Sequence, residues 1–245
     1  MVIIVFFILH WYASFFLQSF FYHRYTAHRH FTMSRATEKF FYIASFIVHG
    51  SSYMSPFTYG VLHRLHHMYT DVEGDPHSPA FHPGFWQTMW QTRNSYHGIY
   101  TGKTMVDEKL RKDLPQWPVF DKIAHNWIIR VLWIGLYILF YSSFATAWWQ
   151  YLLLPFTIIM CTLQGTMINW WAHKYGYVNY PMDNTSKNIL PVDFLFIGDA
   201  YHNNHHKFPG RAKNAHRWFE IDPIYHVTCL LNKLHIVKWK SQPSN

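Results

Sequence analysis

The chain has 245 residues, of which 50% are hydrophobic, 20% aromatic and 14% charged, and 19 of them are histidines. This length fits one domain, and the low charge with many aromatic side chains excludes an intrinsically disordered chain. The formal net charge of +8 fits nucleic acid, an anionic membrane surface or a phosphorylated substrate equally well. Cys161 and Cys229 are too few for a disulfide framework or a thiolate metal cluster. Any metal must therefore be held by nitrogen or oxygen.

The N-terminal segment predicts a membrane span. Residues 2–22 contain no formally charged side chain, and a helix of that length is about 30 Å long, the thickness of a bilayer core. Positive charges follow this segment at Arg24, Arg29 and Arg35. The positive-inside rule therefore predicts that this end faces the cytoplasm.

A second uncharged run extends from Val131 to His173. It is about twice as long as one crossing requires, so it predicts a helical hairpin. We place its two spans near residues 127–147 and 150–172. Flanking positive charges predict that both outer ends of the hairpin lie on the cytoplasmic side.

The remaining segments are predicted to lie at or above the membrane surface. Residues 36–63 are largely uncharged, but the breaks at His49-Gly50-Ser51-Ser52 and Ser55-Pro56 argue against a spanning helix. We interpret them as an interfacial or re-entrant segment. Residues 174–245 are mixed in charge and rich in turn signals, which predicts a cytoplasmic cap. The fold class expected for residues 1–245 is a single, all-α integral membrane domain.

Nine histidines fall into four groups near the predicted cytoplasmic ends of the helices. The groups are His23 and His28; His63, His66 and His67; His173; and His202, His205 and His206. Spacings of three and four residues place imidazoles on one helical face, where they can converge on a metal. The pattern H-x-x-H-H is expected by chance roughly 0.1 times in such a chain, yet it occurs twice here. The five-residue step from His23 to His28 does not fit one ideal helical face. It requires a helix end, or ligands to different metals.

Nine imidazoles exceed the three or four that one zinc or copper ion uses, so two metals are predicted. Imidazole suits iron, copper, zinc and nickel. A histidine-rich pair of irons beside a hydrocarbon phase suits the activation of O2 and attack on an unactivated C–H bond.

The ordered motifs HRYTAH, HRLHHMYTDVEGDPHSP, NWWAH, GDAYHNNHHKFPGR and WFEIDP resemble those of membrane-bound acyl-CoA and acyl-lipid desaturases of the Δ9 type. The resemblance covers roughly residues 15–240. It implies a di-iron enzyme that removes two hydrogens from a saturated acyl chain with O2 and two electrons. The electrons would come from a small cytochrome or ferredoxin with its reductase. The implied iron ligands are His23, His28, His63, His66, His67, His173, His202, His205 and His206, with Asn169 reaching an iron through water.

Two features depart from that family pattern. The family usually has two spans before its first histidine group, whereas this chain has room for one, so the N-terminus is either truncated or outside the cytoplasm. The family also prefers Gly-Glu before its last histidine box, where this chain has Gly198 and Asp199. A shorter carboxylate at that position can still orient a ligand histidine.

Four residues beside the boxes are candidates to support the ligands. Asp71, Asp75 and Asp199 are either ordinary loop residues or acceptors for the second ring N–H of a ligand histidine, which would fix its tautomer. His77, in the motif GDPHSP, is a candidate to support a ligand or to position the substrate.

Two further sets concern the substrate. Phe7 and Trp11 lie one turn apart on the first helix, and their bulky rings are predicted to close the end of an acyl tunnel. Six basic residues are either positive-inside anchors or partners for the phosphates of acyl-CoA. They are Arg24, Arg29, Lys174, Arg211, Lys213 and Arg217.

The predicted function is insertion of a cis double bond into a saturated acyl chain, as an acyl-CoA or acyl-lipid and at the Δ9 position. No catalytic side chain is expected beyond the metal centre, and no nucleic acid partner. The expected location is a multi-pass position in a bacterial inner membrane or endoplasmic reticulum, with the active site facing the cytoplasm. A di-iron hydroxylase is the nearest alternative. A metal transporter or haem-binding membrane protein is the alternative outside enzymes.

Overall fold

The computed structural model describes residues 1–240, and the last five residues of the predicted cap lie outside them. Apart from one short pair of strands, the regular structure is helical, as predicted. The α-helices are α1 (Val2–Leu17), α2 (Arg35–His49), α3 (Pro56–Tyr69), α4 (Phe85–Tyr100), α5 (Glu108–Arg111), α6 (Pro118–Ala124), α7 (Trp127–Phe144), α8 (Leu154–Ile158), α9 (Met160–Trp171), α10 (His202–Lys207) and α11 (Pro223–Lys233). The strands are β1 (Phe31–Met33) and β2 (Val237–Trp239).

The first predicted span is one unbroken helix of 26 residues, from Val2 to Ala27. Its first part is α1, and residues Gln18–Ala27 continue it as a π-helix. Large apolar side chains are exposed only in the first half, as at Leu9, which is 64% exposed. All ten residues of the π-helix are buried. The first half therefore faces lipid, and the second half lies inside the protein.

The predicted hairpin is present, but its second arm is not straight. Helix α7 is long and apolar enough to cross a membrane. The second arm is a 3-10 helix, Trp148–Leu153, followed by α8 and α9, and the two halves are bent by 74° at Ile159. The chain thus has two candidate spans, or three if the bent pair counts as one. The expectation of a single helix over residues 150–172 is corrected. Pro155 lacks the N–H that a helix continuing from residue 151 would use, so α8 begins there after the 3-10 helix, and the bend follows four residues later at Ile159.

The predicted interfacial or re-entrant segment runs back along the first span. The ring of His10 is hydrogen-bonded through Nε2 to the carbonyl of Val48 at 2.7 Å. The chain then reverses at Gly50, which has a φ of +51° and lies so close to Tyr137 that a Cβ atom would clash with its hydroxyl. Helix α3 leads back to the start of the cap. Helix α2 therefore runs away from the cap beside the lipid-facing half of α1, and α3 returns the chain to the cap side.

The cap covers the buried end of the first helix. Arg24 is fully buried, and both terminal oxygens of Asp222 accept hydrogen bonds from its Nη2, at 3.0 and 2.8 Å. Strands β1 and β2 pair antiparallel with Phe31 opposite Trp239. These contacts fix the C-terminal part of the cap, from Asp222 at the start of α11 to β2, against the end of the first helix.

Candidate metal centre

The nine candidate histidines come together at the cap end of the helices and form two adjacent clusters. Cluster A contains His23, His28, His63, His67 and His205, and cluster B contains His66, His173, His202 and His206. The rings of His67 and His206 stack at 4.5 Å between centroids, so the clusters are immediate neighbours.

Each H-x-x-H-H triplet supplies both clusters. On α3, His63 and His67 are four residues apart, share a helical face and enter cluster A, whereas His66 enters cluster B. On α10 the relation is reversed, because the pair four residues apart, His202 and His206, enters cluster B. Each helix therefore contributes two histidines to one cluster and one histidine to the other, which holds the clusters side by side.

The π-helix explains the five-residue step at the first histidine group. A π-helix is closed by hydrogen bonds between residues five apart, so residues i and i+5 lie on one face. The backbone N–H of His28 donates to the carbonyl of His23 at 3.1 Å, and their rings are 4.8 Å apart. Both therefore enter cluster A, at the end of this helix. The alternative of ligands to different metals is not what the structure shows.

The ring nitrogens of each cluster point at a common centre. In cluster A, Nε2 of His23 lies 3.0 Å from Nε2 of His205, and Nε2 of His28 lies 2.8 Å from that of His63. In cluster B the corresponding separations are 2.9–3.2 Å. Nitrogens that share one metal through bonds of about 2.1 Å lie roughly 3.0–3.4 Å apart. These separations are therefore compatible with one metal ion in each cluster.

In cluster B, carboxylates contact the ring nitrogens that face away from the other histidines. The Nδ1 atom of His66 lies 3.0 Å from both carboxylate oxygens of Asp75, and Nδ1 of His173 lies 3.1 Å from Oδ2 of Asp71. A proton on Nδ1, donated to the carboxylate, leaves the Nε2 lone pair free for a metal. In cluster A, Asp199 lies farther away, 3.6 Å from Nδ1 of His23.

The environment keeps the ligand rings uncharged. Burial, reinforced by neighbouring imidazoles, lowers the pKa of His28, His63 and His67 well below its ordinary value. The same causes lower the pKa values of His202 and His206. Neutral imidazoles have the lone pair that metal binding requires. The donor set therefore fits two metal ions.

A cavity of about 570 Å³ leads to the clusters. Its wall includes Tyr59, Leu62 and His63 on α3 and Asn169 on α9. A second, narrow cavity shares Tyr59, His63, Gly165 and Asn169 with the first, and it also touches ligands of both clusters. The two cavities adjoin at these shared residues and together form a passage beside the histidine clusters. His77 is buried on the wall of the larger cavity, 4.3 Å from the ring of His66.

The structure places several predicted substrate residues elsewhere. Arg24 is paired inside the protein with Asp222, so it is not free to bind a substrate phosphate. The indole of Trp11 donates to the carbonyl of Leu195, and its ring packs on Phe15. Neither Trp11 nor Phe7 is among the described residues that line the passage, because both lie farther down the first helix.

The other five predicted phosphate partners are also not among the residues that line the passage. Lys174 donates to the carbonyl of Pro83 and lies over the ring of Trp170. Arg29 lies over the ring of Tyr25, with Nε and Nη1 buried. The remaining three are exposed on the cap: Arg211, Lys213 and Arg217.

Sequence reasoning missed the cations that do line the cavity. These are Arg93 and Arg130, accompanied by His97 and His125. Arg130 donates to the carbonyls of Ser51 and Tyr53, which holds it at the wall. The i,i+4 pair of Arg93 and His97 on an otherwise uncharged helix was a usable signal.

Fold and site together define an integral membrane protein with two adjacent histidine clusters that could hold metal ions. Residues 1–228 match the family model described as fatty acid desaturase, and the chain belongs to this family.

Its relatives include desaturases with different named substrates. The sn-1 stearoyl-lipid 9-desaturase of Anabaena variabilis is 28% identical over 216 residues, which is 87% of this chain and 74% of the relative. The Delta-9 acyl-lipid desaturase 1 of Arabidopsis thaliana is 26% identical over 226 residues, covering 91% and 70%. The acyl-CoA 5-desaturase AL21 of Anemone leveillei is 26% identical over 234 residues, covering 91% and 66%.

Proposed function

We propose that this protein inserts a cis double bond into a saturated fatty acyl chain at the Δ9 position. The observation that carries the proposal is the passage formed by the two adjoining cavities, which touches histidines of both clusters. Its largely apolar wall suits an acyl chain, and a chain held in this passage has one pair of neighbouring carbons beside the clusters. Fixed positioning of this kind makes a reaction regioselective.

We propose iron as the metal in both clusters, because imidazole suits iron and the chain belongs to the fatty acid desaturase family. Cluster A would hold one iron and cluster B the other, with Asn169 near both at the junction of the two cavities. Bound irons supply the activation of O2. Asp75 and Asp71 orient the ligand rings of His66 and His173, and the enclosed wall excludes water.

The electron balance requires an external donor. Removing one hydrogen from each of two neighbouring carbons releases two electrons, and reduction of O2 to two waters requires four. We propose that a small cytochrome or ferredoxin, with its reductase, supplies the other two. Two protons from solvent complete the two water molecules.

The polar end of the large cavity suggests how the substrate is oriented. Arg93, His97, His125 and Arg130 line this part of the passage, whereas Phe15, Gln164 and Ile168 line the narrow cavity past the clusters. We propose that an anionic carrier binds at the end that carries the arginines and that the acyl tail ends in the narrow cavity. This replaces the tunnel end that the sequence predicted at Phe7 and Trp11. Coenzyme A is the proposed carrier. The names of the acyl-lipid relatives make a phospholipid the alternative.

The proposed location is multi-pass in a bacterial inner membrane or endoplasmic reticulum, with the cap and metal clusters in the cytoplasm. Two to three candidate spans support this arrangement. The contacts between the cap and the first helix, such as Arg24 with Asp222, support one desaturase domain over the whole chain.

Expression in a host that lacks its own desaturase tests the proposal. Mass spectrometry of the host's fatty acids is expected to show monounsaturated chains with the double bond at carbon 9. Purified protein supplied with stearoyl-CoA or stearoyl-phospholipid, O2 and reduced donor then identifies the carrier. An alcohol in place of the alkene would assign the chain as a hydroxylase, and no oxidised product with either substrate would refute the proposal.

A further inference from the structure

Residues 189–196 form an apolar loop between the last helix of the bent arm and α10, with the sequence ILPVDFLF. The loop lies against the first membrane span. The indole N–H of Trp11 donates to the carbonyl of Leu195 at 3.0 Å, and the hydroxyl of Tyr12 donates to the carbonyl of Phe194 at 3.2 Å. The loop therefore contacts α1 in its lipid-facing half.

The depth of this contact follows from the neighbouring span. The ring of His10, one residue before Trp11, lies 6.0 Å from the ring of Tyr137. Tyr137 is close to the middle of α7, an 18-residue helix of which only 11% is buried. Such a helix is about 27 Å long, close to the thickness of a bilayer core. The loop thus reaches the level of the middle of the apolar belt.

The tip of the loop exposes apolar side chains. Phe194 is 68% exposed and Val192 is 49% exposed. The one charged side chain of the loop, Asp193, is only 2% exposed. Apolar surface that adjoins the lipid face of a span is stabilised by lipid and not by water.

Hydrogen bonds hold the backbone at the end of the loop against the protein. The carboxylate of Asp193 accepts from the N–H groups of Phe196, Gly198 and Ala200, at 2.8, 2.7 and 3.0 Å, and its own N–H donates to the hydroxyl of Tyr201 at 3.1 Å. Non-helical backbone at membrane depth must be buried in protein or line a water-filled cavity. These bonds, with those from the first helix to the carbonyls of the loop, keep the backbone on the protein side while the side chains at the tip are exposed.

We propose that residues 189–196 insert into the bilayer beside the first span and bind the acyl chains of membrane lipids. At eight residues the loop is too short to be found as a span by hydropathy. The carboxylate of Asp193 joins the loop to the backbone on both sides of Asp199, and His202 follows shortly after. The loop therefore anchors the α10 side of both clusters to a fixed depth in the membrane.

Nitroxide labels at single cysteines test the proposal in the full chain, reconstituted in phospholipid bilayers. The background is Cys161→Ala with Cys229→Ser, since Cys161 lines the larger cavity and Cys229 is partly exposed. The probe position is Phe194→Cys, and the matched control is Lys213→Cys on the exposed cap surface. Spin relaxation is measured with O2, which concentrates in hydrocarbon, and with a water-soluble nickel complex.

The ratio of O2 to nickel collisions is expected to be several-fold higher at position 194 than at position 213. Equal ratios would place the loop in water and overturn the proposal. Low collision rates with both reagents at position 194 would mean that protein covers the loop, which also overturns it. Val192→Cys, the second exposed position at the tip, gives the same measurement if the first variant does not fold.

Discussion

The two histidine clusters hold similar ligands but orient them by different means. In cluster B, His66 and His173 each have a carboxylate about one hydrogen bond away from Nδ1. In cluster A, the nearest carboxylate, Asp199, is 3.6 Å from His23, and Nδ1 of His205 is buried without a partner among the described residues. Cluster A relies on backbone geometry, namely the π-helix and the i,i+4 pair on α3. Cluster B should therefore bind its metal more firmly, because its donors are oriented and made more basic by charge.

Removing one ligand from each cluster has the largest expected effect. His66→Ala and His205→Ala are each expected to lower desaturation at least about 100-fold, more than loss of a supporting partner costs. Elemental analysis should show about half of the metal lost in each variant. His226→Ala, at an exposed histidine outside both clusters, is the control. Full activity in either cluster variant would contradict the assignment.

The buried ion pair next to cluster A has the second largest expected effect. Arg24→Met leaves the carboxylate of Asp222 buried without its cation, and such a change costs about 3–5 kcal/mol of unfolding free energy. Thermal unfolding should shift accordingly, and metal should be lost first from cluster A. Arg35→Met removes an exposed partner of Glu38 and should cost at most about 1 kcal/mol. Equal shifts in the two variants would mean that the buried pair stabilises the protein no more than the exposed pair does.

Removing a single carboxylate tests the comparison most directly. Asp75→Asn takes the charge from His66 and is expected to weaken metal binding about tenfold. Asp199→Asn should weaken it less, because Asp199 is farther from its histidine. Metal release to a chelator is the measurement. Faster release from the Asp199 variant would reverse the proposed difference between the clusters.

The smallest expected effect concerns His125, a buried histidine of the cavity wall that belongs to neither cluster. Burial, with a smaller contribution from Arg130, lowers its pKa to about 3. Below about pH 6.5 this histidine binds a proton in the unfolded chain but not in the folded protein. The free energy of unfolding therefore falls as the pH drops from about 6.5 towards 3. At pH 5.5 the loss from this one group is about 1.4 kcal/mol.

Comparison of His125→Gln with the parent protein at pH 7.5 and pH 5.5 isolates that contribution. The variant should lose about 1.4 kcal/mol less unfolding free energy between the two pH values, and its metal content should match that of the parent. An unchanged pH dependence would show that His125 is not the group responsible.

The sequence was most informative where chemistry and spacing act locally. An uncharged, largely apolar run of about 20 residues is typical of a membrane-spanning helix. The bounds of α7 and of the first helix were therefore predicted close to those observed. The two H-x-x-H-H triplets were found because that pattern is rare by chance, whereas His23, His28 and His173 rested on their place near helix ends and on the family resemblance. The carboxylates Asp71 and Asp75 were recognised only as candidates, since their contact with His173 and His66 depends on how the loop folds.

The features that the sequence did not predict depend on tertiary packing, which no local sequence pattern encodes. The passage lies mainly between α3, α4 and α9 and meets the first helix at Phe15, Gln18 and His23, so Phe7 and Trp11, farther down that helix, do not line it. Arg24 looks like any juxtamembrane cation until Asp222, nearly 200 residues away, is seen to pair with it. The 74° bend at Ile159 likewise lies within a run that contains no charged residue and no proline or glycine at the bend itself.

The sequence by itself determined the membrane character, the all-α class and the set of histidines, because composition and short-range periodicity decide each of these. Tertiary structure decided which cluster each histidine joins, that the π-helix brings His23 and His28 together, and where the acyl passage runs. The reason is that these properties arise from long-range contacts between helices. One and the same spacing, as in the two H-x-x-H-H triplets, sends its paired histidines to opposite clusters according to the direction from which each helix approaches.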